Sequence, residues 1–260
     1  MNKFELKYKK ILLNILLKGE NQNSRNGEVK VLNNIKISHN LNCGFPILTG
    51  RKILLKNFIY ELIWFLNGET NIKYLKQNNV NIWDLWADKN GDLGKVYGYQ
   101  LRKFNGITDQ LNYVINELTI NKYSRRAVVN LWNASEINEM ALPPCHYSFQ
   151  FNIYKNKLNI TVNMRSCDMM LGFPNDICFY SSLLLVISNE LNLKPGNICF
   201  FISNAHIYNN QIESLAEYLN KKIYKLPKMT FIGNLKNLNF NNFTLLNYNS
   251  EPLIKIKITK

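Results

Sequence analysis

Long apolar runs, cysteine pairs, histidine clusters and arginine are what this 260-residue chain has least of. No apolar run reaches the roughly 18 residues that a membrane-spanning helix needs. The opening residues, Met1 to Glu5, carry charge where a secretory leader has an apolar stretch, so the sequence predicts a cytoplasmic protein. The five cysteines (Cys43, Cys145, Cys167, Cys178, Cys199) are odd in number and form no C-x-x-C pair. With only three histidines and none at ligand spacing, neither a disulfide framework nor a metal site is expected. A single functional thiol is left open beside ordinary buried cysteines.

Acidic residues are also scarce: 18 against 32 basic, for a net charge of +14. The lysines are scattered, which reads as a solvated surface that favours a small anionic ligand; a nucleic-acid footprint would be a clustered patch. Only six of the basic residues are arginines: Arg25, Arg51, Arg102, Arg125, Arg126 and Arg165. Lysine cannot reproduce the planar fork that guanidinium offers a phosphate or carboxylate, so each arginine is a candidate for a geometric role.

Hydrophobic residues make up 46% of the chain, enough for a packed core. Periodicity predicts helices over 4–18, 58–66, 113–120, 177–191 and 208–219. It predicts strands over 29–32, 35–37, 126–132, 147–153, 158–162 and 198–202, with 21–27 a mobile loop. From Leu253 the tail alternates apolar and polar residues. No repeat, linker or boundary interrupts this order, so a single α+β domain over 1–260 is expected.

Several groupings carry chemistry. In Pro143-Pro144-Cys145-His146 two prolines stiffen the approach to a cysteine, which is either a buried structural thiol or a nucleophile. Arg125, Arg126 and Arg165 are placed to lower its pKa if their strands adjoin. Glu61 sits mid-helix among apolar residues and either faces water or is buried and paired. Ser124-Arg125-Arg126 and Arg165-Ser166 couple guanidinium to hydroxyl, which suits a phosphate dianion as well as a paired surface. Trp83 and Trp86 serve as core anchors or as a stacking wall for a flat ligand.

Taken together these motifs resemble the thymidylate synthase family over nearly the whole chain. The matching stretches include Glu61-Leu62-Ile63-Trp64-Phe65-Leu66, Ile82-Trp83-Asp84-Leu85-Trp86, Val96-Tyr97-Gly98, Pro143-Pro144-Cys145-His146, Arg165-Ser166-Cys167-Asp168, Leu171-Gly172-Phe173-Pro174 and His206-Ile207-Tyr208. The resemblance implies an α+β fold with a mixed sheet, dimerising through that sheet. It implies 5,10-methylenetetrahydrofolate as co-substrate, a pyrimidine nucleoside monophosphate as acceptor, and no metal. Carried over by position, Cys145 is the nucleophile, with Glu61, Tyr97 and His146 organising proton transfer. Arg25, Arg165 and Ser166 hold the phosphate, joined by Arg125 and Arg126 of a second subunit, and His206 and Tyr208 hold the sugar. Trp83, Trp86, Leu142, Asp168, Leu171 and Gly172 line the folate site, and the C-terminal tail closes over it.

One departure bears on the base. Where the family places an asparagine that reads uracil, this chain has Asp176. An ionised carboxylate only accepts hydrogen bonds, which suits the amino group of cytosine, and a protonated one also donates to the cytosine ring nitrogen. With Met164 before Arg165, this looks like the deoxycytidylate hydroxymethylase branch. The sequence therefore predicts a C5 methyl or hydroxymethyl transferase acting on dCMP, with dUMP-to-dTMP conversion as the alternative. The charged end of the tail, Ile258-Thr259-Lys260, would admit water in competition with hydride.

Overall fold

The computed structural model describes residues 1–259. The chain opens with α1 (Lys3–Lys18), capped by Asn2, whose side chain accepts from the Glu5 N–H at 3.0 Å and donates to the Glu5 carboxylate at 2.9 Å. That carboxylate is fully buried and satisfied, accepting also from Thr49 N–H, Gly50 N–H and the Tyr218 hydroxyl. It fastens α1 to the segment before the second helix and to α7. The remaining elements are β1 (Glu20–Ser24), β2 (Gly27–Asn40), α2 (Leu55–Leu66), α3 (Lys73–Gln77), α4 (Tyr97–Lys103), α5 (Gln110–Ile120), β3 (Val128–Asn130), β4 (His146–Tyr154), β5 (Lys157–Met164), β6 (Cys167–Asp168), α6 (Gly172–Glu190), β7 (Lys194–Tyr208), α7 (Ile212–Asn220), β8 (Lys228–Phe231) and β9 (Phe243–Leu246).

The main sheet runs β1-β2-β7-β5-β4-β3, with β6 also pairing β7. The pairs β5·β7 and β6·β7 are parallel and the rest antiparallel, so the sheet is mixed and the class α+β, as expected. One continuous apolar core lies between the sheet and the helices. Helix α6 runs through it, with Phe173, Ile177, Tyr180, Leu183, Leu184 and Ile187 fully buried. Helix α2 packs on α6, and this pair holds the site. Gly98 permits α4 to lie against α2: a Cβ there would come within 3.0 Å of the Glu69 carbonyl and 3.1 Å of that of Phe65.

The structure corrects several boundaries. Residues 21–27 are a β-hairpin paired from Glu20↔Val31 to Ser24↔Gly27, and Arg25-Asn26 form its tip. Every β1 residue is exposed, so no apolar alternation marks it as a strand. The two short strands expected over 29–32 and 35–37 are one strand, in which Asn34 adopts φ of 59° without ending the ladder. Helix α6 begins at Gly172, five residues early, because Pro174 sits in its first turn, where no amide hydrogen is needed. Strand β7 runs on to Tyr208; a short 3-10 turn (Asn209–Gln211) follows, so the helix expected from 208 begins at Ile212. Beyond Leu253 the alternation is real (Ile254 and Ile256 are buried, Lys255 and Lys257 exposed), although no sheet pairing forms. Lys260 lies outside the described residues. Among those residues no helix is long and apolar enough to cross a membrane.

Candidate active site

Glu61, Trp64 and Phe65 stand three and four residues apart on one face of α2, and Asp176 and Phe179 do so on α6. Trp83, Tyr97 and His146 complete the walls of a small cavity between them. Glu61 is thus half-buried in the cavity wall, with no ion-pair partner among the described residues. Its Oε1 accepts from the Trp83 indole N–H at 2.8 Å, and burial pushes its pKa from 4.5 to about 7 against that hydrogen bond. A carboxyl poised near neutrality is suited to exchange protons. Trp83 is both core anchor and cavity wall, since its ring meets those of Trp64, Trp86 and Tyr97 within 6.0 Å.

Cys145 lies at the end of the proline segment, just before β4. Gly94 and Met140 form a bridge that places this segment, and Ala141 donates to the Leu93 carbonyl at 2.9 Å. A Cβ at Gly94, which has φ of +71°, would overlap the Glu139 carbonyl oxygen. The Cys145 N–H donates to the Tyr97 hydroxyl at 2.8 Å, and the Cys145 carbonyl accepts from Arg165 N–H at 2.9 Å. The Arg165 fork grips the loop too: Nε donates to the Pro144 carbonyl and Nη2 to that of Pro143, both at 2.8 Å. The same Nη2 stands 3.9 Å from the Cys145 sulfur, and the guanidinium lies over the Trp132 ring. Burial pushes the thiol pKa up, opposed chiefly by the Arg165 charge; Asp176 pushes it up further and Tyr97 draws it down.

His146 is fixed by a residue the sequence reading did not single out. Its Nδ1 is 2.6 Å from the Tyr180 hydroxyl, one turn along α6 from Asp176. Burial lowers the imidazole pKa to about 3, so the ring is neutral at pH 7 and acts as a hydrogen-bonding group. Tyr180 reads in sequence as one more apolar-helix aromatic, and nothing in its spacing marks it.

Asp176 is driven well above the carboxylate range, first by burial and then by the charges of Glu61 and Asp168. Both causes favour the protonated carboxyl over the carboxylate. This revises the sequence argument: a neutral carboxyl offers one donor beside one acceptor, the edge that an asparagine amide presents.

The other expected residues fall into three places. His206 and Tyr208 end β7 with their rings edge to face, opposite Val31 and Val29 of β2, and the Arg25 hairpin tip lies beside Tyr208. Asp168 pairs with His206 across β6 and β7 and accepts from the N–H groups of Met170 and Leu171. Trp86, Leu142, Leu171 and Ser166 are partly buried, and Gly172 leaves room beside Asp176, whose Oδ2 a Cβ would meet at 3.7 Å. Arg125 and Arg126 are exposed and precede β3, whereas Arg25 follows β1. These strands are the two edges of the sheet, five spacings of about 4.8 Å apart, so one chain does not gather all the arginines.

The family model described as thymidylate synthase matches residues 6–260. A thymidylate synthase of Coxiella burnetii (strain Dugway 5J108-111) is 42% identical over 226 residues, covering 84% of this chain and 86% of that protein.

Proposed function

The chain belongs to the thymidylate synthase family and is an enzyme of the methyltransferase-type one-carbon transfer class, and we propose that it converts dUMP to dTMP with Cys145 as nucleophile. The observation that carries this reading is the Cys145 sulfur 3.9 Å from Arg165 Nη2, on a loop whose amide is held by Tyr97 at the wall of the Glu61 cavity. Carbon 5 of a pyrimidine is a poor nucleophile. Addition of the Cys145 sulfur at C6 forms an S–C6 bond and makes C5 an enolate carbon able to attack an electrophile. Arg165 stabilises the charge on sulfur as the thiol gives up its proton. Glu61, ionised above pH 7, accepts the C5 proton through water, and Tyr97 and neutral His146 orient that relay. Expulsion of Cys145 restores the ring.

The co-substrate, methylenetetrahydrofolate, supplies the one-carbon unit and the hydride that reduces it. The residues present fit it: Trp83 and Trp86 meet edge to face at 5.8 Å, and Trp86, Leu142 and Leu171 are partly buried apolar side chains of the kind a flat heterocycle packs against. Asp168 retains lone pairs for ring N–H donors. The buried Ile254 and Ile256 of the docked tail support exclusion of water, and hence a methyl product. The wide separation of Arg25 from Arg125 and Arg126 supports a homodimer in which the last two reach the partner's phosphate site.

The comparisons favour dUMP over the dCMP preference expected from sequence, and the upward push that burial gives the Asp176 pKa weakens the main objection to uracil: a protonated carboxyl donates its O–H to O4 while its carbonyl accepts from N3–H. The specific observation that favours dCMP is the aspartate itself, since its proton on the other oxygen serves N3 while the carbonyl accepts from the 4-amino group. Tritium release from C5-labelled dUMP and dCMP decides between them. We expect a kcat/KM for dUMP at least tenfold higher; a tenfold preference for dCMP, or hydroxymethyl nucleotide as product, overturns the reading.

A further inference from the structure

Gln211, in the short turn between β7 and α7, is fully buried and was not among the expected site residues. Its amide nitrogen donates to Asp168 Oδ2 at 2.8 Å and to the Lys257 carbonyl of the C-terminal segment at 3.3 Å. Its amide oxygen accepts from Tyr208 N–H at 3.3 Å, which fixes the orientation of the amide. The neighbouring side chains dock the same segment: Ser214 donates to the Lys255 carbonyl at 3.1 Å, and Asn210 and Thr259 bond each other at 3.0 Å. The other Asp168 oxygen is held by the backbone of residues 170 and 171, so Gln211 is the side chain that fixes Oδ2.

We propose that Gln211 is a positioning residue that ties docking of segment 254–259 to the orientation of the Asp168 carboxylate, so that the folate site is set only when the tail is down. The mechanism is one of geometry. Both hydrogen bonds leave one nitrogen, whose two hydrogens diverge at a fixed angle, so displacing the tail removes one of the three contacts that hold the amide and loosens its grip on Oδ2. A half-buried carboxylate oxygen that loses its donor is destabilised, so the coupling runs in both directions.

The inference rests on the folate reading for its kinetic consequence only; the mechanical link is measurable without it. Lys255 and Lys257 are exposed, so limited trypsin digestion reports tail docking directly. In the full-length enzyme, Gln211→Leu is expected to speed cleavage at these two sites about tenfold, the scale of one or two lost hydrogen bonds. It should also raise the KM for methylenetetrahydrofolate about tenfold, well beyond the change in nucleotide KM that loss of the Tyr208 bond brings; a merely structural role would move both alike. Should Q211L fold poorly, Asp168→Ala supplies the reciprocal test, freeing the amide from the other side and accelerating cleavage at the same lysines. Unchanged cleavage in both variants overturns the link. Altered cleavage with unchanged folate KM overturns its role in the site, and altered cleavage in a protein that turns over no folate faults the functional reading and leaves the link standing.

Discussion

Replacing Glu61 by glutamine tests the cavity through its electrostatics. Glutamine keeps an oxygen to accept from the Trp83 indole and removes only the ionisation. In the folded protein Glu61 titrates at about 7, against 4.5 for an ordinary glutamate. Between these values the folded state holds a proton that the unfolded state has lost, so stability is full below pH 4.5, declines as the pH rises, and levels off above about 7. That interval corresponds to roughly 3 kcal/mol at about 1.36 kcal/mol per pH unit. Urea unfolding of E61Q and the parent at pH 5 and pH 8.5 should therefore show E61Q gaining about 2.5 kcal/mol at the higher pH relative to the lower, since part of the loss is already complete at pH 5. The same substitution should lower tritium release about 10²-fold or more and abolish the rise in rate through pH 7. A stability difference equal at both pH values would refute the claim that burial holds Glu61 near neutrality.

Tyr97→Phe removes the acceptor of the Cys145 amide; leaving that N–H unpaired should cost about 1–3 kcal/mol in urea unfolding and slow turnover, and an unchanged unfolding midpoint would count against the contact. Arg165→Gln withdraws the charge nearest the sulfur and two bonds to the proline carbonyls. The thiol pKa should rise further, so alkylation of Cys145 by iodoacetamide at pH 7.5 should slow about tenfold or more; equal rates would show that Arg165 does not tune the thiol.

Much of the chemistry was legible because it depends on scarce residue types. Cys145 after two prolines, six arginines in a lysine-rich chain, and a glutamate amid apolar helix residues each stood out against their background. The fold class followed from periodicity, and the long helix α6 was found because its core-facing residues are mostly apolar. What was hidden had no periodic signature: the fully exposed β1 hairpin, and a helix start disguised by Gly172 and Pro174. Roles fixed by distant partners were hidden too. Nothing in the sequence ties Tyr180 to His146 or Gln211 to both Asp168 and Lys257, because the first contact arises when α6 packs beside the start of β4 and the others when the sheet brings β7 beside β6 and the tail docks. The state of Asp176 is of the same kind: its identity is in the sequence, whereas the protonation that decides what it offers a base is set by burial and by Glu61 across the cavity.

The most direct test of the account is a covalent one. A pyrimidine monophosphate with fluorine at C5 has no proton for Glu61 to remove, so a sulfur added at C6 is trapped. After incubation with 5-fluoro-dUMP and methylenetetrahydrofolate, peptide mass mapping should find the adduct on the peptide containing Cys145 and nowhere else, and Cys145→Ser should abolish it. No adduct, or one carried by Cys43, Cys167, Cys178 or Cys199, would contradict the account.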